Sequence, residues 1–337
     1  MRRIALVFML AIISMVSFAK KEVVNLYTER HYDADKVLIK NFEKETGIKV
    51  NVVKAKGDEL IKKLELEGKD TNADLFITAD AGRLFRAKKA GLLQAVETEK
   101  LDANVRKELK DEDNFWYGLT YRARIIAYDP NRTDVSDLKR VEDLAKPEWN
   151  GKVVVRSSSN LYNQSLLASI IANDGSEKAT EWAEGVVNNM ARSPKGNDRD
   201  QAKAVAAGIG EVAIMNSYYM GRMMTSKDPA EVEVAKALKI KFLNQEDRGN
   251  HINASGAGVT KYAKNKENAI KFLEYMTGAE GQKVFAEMNF EYPVNTSVEP
   301  SEVVKAWGEF KIDSLDLNEL GVNNKEAVEI FDRAGWK

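Results

Sequence analysis

Short apolar runs alternate with amphipathic segments of about ten residues through the first ninety positions, and this limits the fold more than any other feature. Residues 23–27 read as a strand. Residues 35–46 read as a helix, with Val37, Leu38 and Phe42 at helical spacing and Gly47 as its stop. A second strand is expected at 48–53 and a second helix at 58–67, with Leu60, Ile61 and Leu64 on one face. A third pair follows at 74–78 and 81–90, closed by Gly91. Strands separated by helices of this length make βαβ units around a parallel sheet, so the class is α/β. Ligands of such sheets sit beyond the carboxyl ends of the strands. His31 and Tyr32 lie in the loop just beyond the first strand.

A second series fills the middle of the chain. Residues 116–128 form a long extended segment that stops at Asp129-Pro130, a turn signal. A short helix is expected at 138–145, a strand at 152–155, then a polar loop that runs into an apolar helix at 165–172. Helices follow at 182–190 and 200–207, and an apolar strand at 210–213. Next comes Asn216-Ser217-Tyr218-Tyr219. Adjacent tyrosines point to opposite faces of a strand and splay by about 100° on a helix, so the pair calls for an irregular turn if both phenols are to aim at one point. Residues 234–242 are strand-like at their end, 253–259 are glycine-rich and extended, and helices are expected at 267–276 and 280–288. With 337 residues the chain is too long for one small core, and two domains are expected.

Residues 1–19 are different material. Arg2 and Arg3 precede an apolar run at 4–16, and Ser17-Phe18-Ala19 offers the small residues that a signal peptidase reads. A cleavable signal peptide is therefore expected. The chain has no cysteine, so neither a disulfide nor a lipid-bearing cysteine follows the leader. A free, soluble protein of a periplasm is the expectation. Without the leader the balance is 49 basic against 52 acidic residues, with no long single-sign run that would suggest nucleic acid or an anionic membrane.

Conventional catalytic motifs are missing. There is no phosphate-binding glycine loop with its lysine, no cysteine nucleophile and no G-x-S-x-G elbow, and two histidines, His31 and His251, make no short-spaced metal motif. No enzyme activity is expected. The tyrosines stand out instead. Tyr32, Tyr162, Tyr218 and Tyr219 sit in polar loops after expected strands, and His31 adjoins the first. A phenol has a pKa of ~10, so it binds a metal only by losing its proton to the metal's charge. Hard trivalent cations suit phenolate, whereas zinc and copper sites draw on histidine and cysteine. Several phenolates on one trivalent ion leave net negative charge, and Arg122 on the extended segment is a guanidinium able to offset it.

The serine loop Arg156-Ser157-Ser158-Ser159-Asn160-Leu161-Tyr162, the run Asn216-Ser217-Tyr218-Tyr219 and Glu291-Tyr292-Pro293-Val294-Asn295 carry a family resemblance. The chain resembles the periplasmic ferric-iron-binding proteins, the solute-binding components of iron(III) ABC importers, and specifically their tyrosine-rich branch. The resemblance runs over the whole mature chain. It implies a type II solute-binding fold: two α/β lobes joined by crossing strands, with a hinge and the ligand in the cleft. It implies Fe(3+) held by His31, Tyr32, Tyr162, Tyr218 and Tyr219, with Arg122 and Tyr121 near the site. Ser157 and Ser158 could cradle a synergistic anion, but no glutamate follows His31 on the Tyr32 side, so the anion-independent mode is preferred. The implied partners are an ABC permease and its ATPase, and the implied state is a monomer. The lobes are expected at 20–123 with 259–296, and at 124–258 with 297–337. The alternative is the same fold carrying a small organic ligand such as a polyamine, thiamine or a phosphonate, whose cleft would favour carboxylates or stacked aromatics over clustered phenols.

Overall fold

The computed structural model describes residues 22–337, so the expected signal peptide lies outside the described residues. Nine strands form the sheet framework: β1 (Val23–Thr28), β2 (Lys49–Lys54), β3 (Leu75–Thr78), β4 (Tyr117–Tyr128), β5 (Val153–Val154), β6 (Val212–Asn216), β7 (Lys239–Lys241), β8 (Ile252–Val259) and β9 (Tyr292–Pro293). Helices α1 (Asp33–Thr46), α2 (Gly57–Glu67) and α3 (Ala81–Lys89) connect the first three strands and lead away from the third, as the alternation predicted. The middle helices are α4 (Glu99–Asn104), α5 (Leu161–Asp174), α6 (Ser176–Asn188), α7 (Asp198–Ala206), α8 (Ser217–Met224) and α9 (Pro229–Ala237). The last five are α10 (Lys266–Thr277), α11 (Ala279–Asn289), α12 (Glu302–Lys305), α13 (Glu319–Val322) and α14 (Asn324–Ala334).

The strand order is β2-β1-β3-β8-β4-β6-β5, with β7 and β9 also paired to β4. β1 is parallel to β2 and β3, and β5 is parallel to β6. The sheet is nevertheless mixed, because β8 runs antiparallel to β3 and β4, and β4 runs antiparallel to β6. Strand β4 is the organising piece. At ~3.3 Å per residue its length of about 40 Å serves two sheets in turn. Its first half, through Ala123, pairs with β8, and its second half, from Arg124, pairs with β6. Because β8 pairs along its length with β3 and β4's first half, it extends the first sheet.

Two apolar cores flank the switch along β4. One gathers Leu26, Phe42, Leu60, Phe76, Trp116 and Phe272. The other gathers Ile126, Leu167, Trp182, Ile214, Phe331 and Trp336. The C-terminal residues belong to both regions. Trp336 packs 5.7 Å from Trp182, while Asn318 accepts from the Trp116 indole at 3.2 Å. Trp336 also donates to the Arg156 carbonyl at 2.9 Å, and Lys337 accepts from the Ser158 amide at 3.3 Å, so the end of the chain braces the serine loop.

Several local expectations change. Residues 161–164, read as loop, are the first turn of α5, and 217–224 are helix from Ser217 onward. The strand placed at 210–213 lies at Val212–Asn216. Helix α9 takes the first four residues of the stretch 234–242, whose end is strand β7 as expected, and the helix expected at 138–145 is a 3-10 turn at Val141–Ala145. Polar residues mislead here because they sit at helix N-termini, where unpaired backbone N–H groups favour them.

Candidate metal centre

Each candidate tyrosine stands at the start of a helix. Tyr32 is the N-cap residue of α1; Tyr162 is the second residue of α5, and Tyr218 and Tyr219 are the second and third of α8. Backbone N–H groups and the positive end of the helix dipole favour negative charge at these positions. Three helix starts thus aim partial positive charge at phenols that must become phenolates to act as ligands.

Local chemistry fixes each position. The Tyr32 amide donates to Asp35 Oδ2 at 3.0 Å, and Asp35 Oδ1 accepts from Arg30 Nε at 2.9 Å. Arg30 reaches on to Glu291 at 3.3 Å. Behind Tyr162, the Asn163 amide donates to the Arg156 and Ser157 carbonyls at 2.9 and 3.2 Å, pinning the serine loop to α5. The α8 start is tied to strands: the Ala123 amide donates to Ser217 Oγ at 3.2 Å, and the Asn216 amide to buried Asp198 at 2.9 Å.

The phenols meet. Tyr218 Oη lies 3.3 Å from Tyr32 Oη and 3.4 Å from Tyr162 Oη. The Tyr219 ring lies 4.2 Å from the Tyr218 ring at 30°, so the adjacent pair stays together although both residues are helical. His31 is exposed at the rim, its ring 4.9 Å from Tyr32's, with Nδ1 at 3.4 Å from the Glu29 carbonyl. A cavity of about 200 Å³ is lined by His31, Tyr32, Tyr162, Tyr219, Arg156 and Asn160, among others. Among the described residues no three His, Cys, Asp or Glu side chains gather for a metal, so a metal reading rests on the phenols.

Burial raises three of the phenols, Tyr32, Tyr218 and Tyr219, and so favours their neutral form. Burial, then Tyr162, pushes Tyr32 up to about 12, partly offset by its hydrogen bond to Tyr218. Tyr218 is raised well above the ordinary phenol range by burial and then by its phenol neighbours, and Tyr219 is raised by burial first. Against this stands a cage of guanidinium groups. Arg30 and Arg222 lie 5.3 and 4.8 Å from the Tyr32 ring centre. Arg122 and Arg156 lie 5.3 and 5.8 Å from that of Tyr162. Buried Arg122 also donates to the Ala79 carbonyl and lies 3.5 Å from Ser255 Oγ.

The remaining sequence candidates have these surroundings. Tyr121 points to the opposite face of β4 from Arg122, as strand alternation requires; it stacks on Tyr292 at 5.1 Å with Arg106 at 5.2 Å. Ser157 Oγ is engaged by Ser159 at 2.9 Å, inside the loop's own turn, and the Ser158 carbonyl accepts from Gln164. Arg30, Arg156 and Arg222 were not singled out as site residues. Their signals were present: Arg30 adjoins His31, Arg156 opens the serine loop, and Arg222 follows Tyr218 by four, one helical turn.

Four phenols from three helix starts thus gather among arginines, beside the strand β4 that two sheets share, in a solute-binding fold. The chain belongs to the bacterial extracellular solute-binding protein family, whose model matches residues 70–312. Within it the chain groups with iron-uptake and ferric-binding proteins. It is 44% identical over 318 residues to iron uptake protein A1 of Synechocystis, covering 94% of this chain and 88% of that one. It superposes with a TM-score of 0.90 on Trichodesmium IdiA (FutA) in complex with iron and citrate, at 48% identity, covering 94% of this chain and all of the other. With the ferric binding protein from Campylobacter jejuni the TM-score is 0.89 and the identity 48%, covering 93% and 100%.

Proposed function

We propose that this protein captures ferric iron in the cleft, through His31, Tyr32, Tyr162, Tyr218 and Tyr219, and delivers it to an inner-membrane ABC permease for uptake. The observation that carries the reading is the meeting of the Tyr32 and Tyr162 hydroxyls on that of Tyr218, at 3.3 and 3.4 Å. Carboxylates or a stacked aromatic pair would mark an organic-ligand cleft; clustered phenols favour a hard cation. Four phenolates on a trivalent ion carry one net negative charge, and the arginine cage offsets it. The names of the similar proteins, an iron uptake protein and a ferric binding protein, support the same cargo.

The proposed lobes are residues 22–123 with 252–296, and 124–251 with most of the tail. Tyr32 and His31 come from the first, and the other three tyrosines from the second. Iron that binds both then selects the closed state. Export by a cleavable leader into a periplasm, and a monomeric carrier, complete the reading.

The test is optical. Ferric citrate added to the metal-free protein should produce a visible phenolate-to-iron charge-transfer band, weakened and shifted in Tyr218→Phe. Absence of a band in the wild type, or an identical band in the variant, would remove the tyrosinate reading.

A further inference from the structure

Beneath α1 a second cavity of about 230 Å³ lies between the first sheet and helices α1, α10 and α11; it shares Arg30 with the phenol-lined cavity. Leu26, Ile77, Leu119, Phe272, Met276 and Phe285 form most of its wall. Protein interiors rarely leave voids much larger than a water molecule. An apolar cavity of about 150 Å³ suffices to take up benzene. A chamber of this size and lining has the character of a small-molecule pocket: apolar walls with a few polar groups at fixed points.

Those polar groups set the ligand's chemistry. Arg30 and Asp35 line the cavity and are bonded to each other at 2.9 Å, with Arg30 also on Glu291, so neither offers a free charge. Exposed Lys36, Val52 and Lys54 form the mouth. The Lys36 ammonium bonds Asp33 at 2.8 Å, whereas among the described residues Lys54 has no ion pair within 4 Å. A ligand matching this arrangement has an uncharged apolar body and a single anionic head.

We propose that this chamber binds a small carboxylic acid with an aromatic or branched apolar body, the body among Phe272, Met276 and Phe285 and the carboxylate at Lys54. The site is separate from the metal cleft and holds whether or not the cleft takes iron. Its nearest link to the cleft is the Arg30–Asp35 pair, which also holds the Tyr32 backbone.

Benzoate titrated into the metal-free protein is the test, followed by NMR, with benzyl alcohol as the uncharged control. Saturable binding with a Kd of about 1 mM or tighter is expected, with ring contacts to Phe272 and Phe285. Ile39 of α1 also lines the chamber, and Ile39→Trp, which fills it, should weaken both ligands at least about tenfold. Lys54→Glu, on an exposed edge, should weaken benzoate about fivefold and leave benzyl alcohol unchanged. Non-saturable binding, contacts scattered over the surface, or equal loss of both ligands in Lys54→Glu would overturn the proposal. Full binding by a natively melting Ile39→Trp would do the same. Should Ile39→Trp not fold, the ring contacts and Lys54→Glu decide.

Discussion

Ferric iron binding should be steeply pH-dependent, and the steepness should count tyrosinates. In the metal-free site burial holds Tyr32 at about 12 and raises Tyr218 and Tyr219 further, so these phenols are protonated near neutrality. A phenol that enters the coordination sphere gives up its proton, and each such loss makes affinity change tenfold per pH unit. Four tyrosinates predict about four decades per unit, equivalent to about 5.5 kcal/mol per pH unit. The direction is fixed: acid returns protons to the ligands and releases the metal. Tyr218→Phe removes the central oxygen and should cut the slope to about three decades. Its cost to the fold should be small, because the hydrogen bonds lost are long, 3.3 and 3.4 Å, and worth at most about 1 kcal/mol. The assay is competition against a chelator of known protonation between about pH 6 and 8, read at the charge-transfer band, with released protons counted in weak buffer. A wild-type slope of about one decade or less, or a slope untouched by Tyr218→Phe, would refute tyrosinate ligation.

Two further outcomes concern the scaffold. Buried Ser165 Oγ donates to Asp80 Oδ2 at 2.7 Å, and Asp80 also accepts from Asn253 at 2.7 Å and caps α3 through the Arg83 amide at 2.8 Å. Ser165→Ala leaves that carboxylate one donor short and should cost about 1–3 kcal/mol, seen as a lower urea midpoint at constant m; a change under about 0.5 kcal/mol would show the bond to be dispensable. His251, just before β8, is held neutral by burial and by Arg124, Arg122 and Arg248, which lower its pKa to about 3. Its folded value lies below the unfolded one, so its contribution is present above about pH 6.5 and is lost as pH falls toward 3, with a limiting slope of about 1.4 kcal/mol per unit. His251→Gln should flatten the metal-free protein's acid stability curve by that slope, and an unchanged curve would place the acid lability elsewhere.

The sequence by itself determined the α/β class and the identity of the phenols. Strand and helix periods are local properties of the apolar pattern, and the first three βα pairs appear within two residues of where that pattern put them. The tyrosines were legible as candidates because a chain with no cysteine and two histidines has few nitrogen or sulfur ligands, while four phenols recur in polar stretches after expected strands. Tertiary structure decided the rest. Whether β8 joins the first sheet depends on partners about 130 to 180 residues away in sequence, Tyr117 and Leu75 among them, and no local pattern encodes pairing at that range. The turn proposed for Tyr218-Tyr219 became the first turn of a helix, because Asn216 and Ser217 are anchored by Asp198 and by the Ala123 amide, contacts invisible in the run itself. Of the arginine cage the sequence offered only Arg122 as a partner of the phenols, and the others went unassigned for the same reason. Arg30, Arg122, Arg156 and Arg222 come from four separate segments, and only folding places them around two phenol rings.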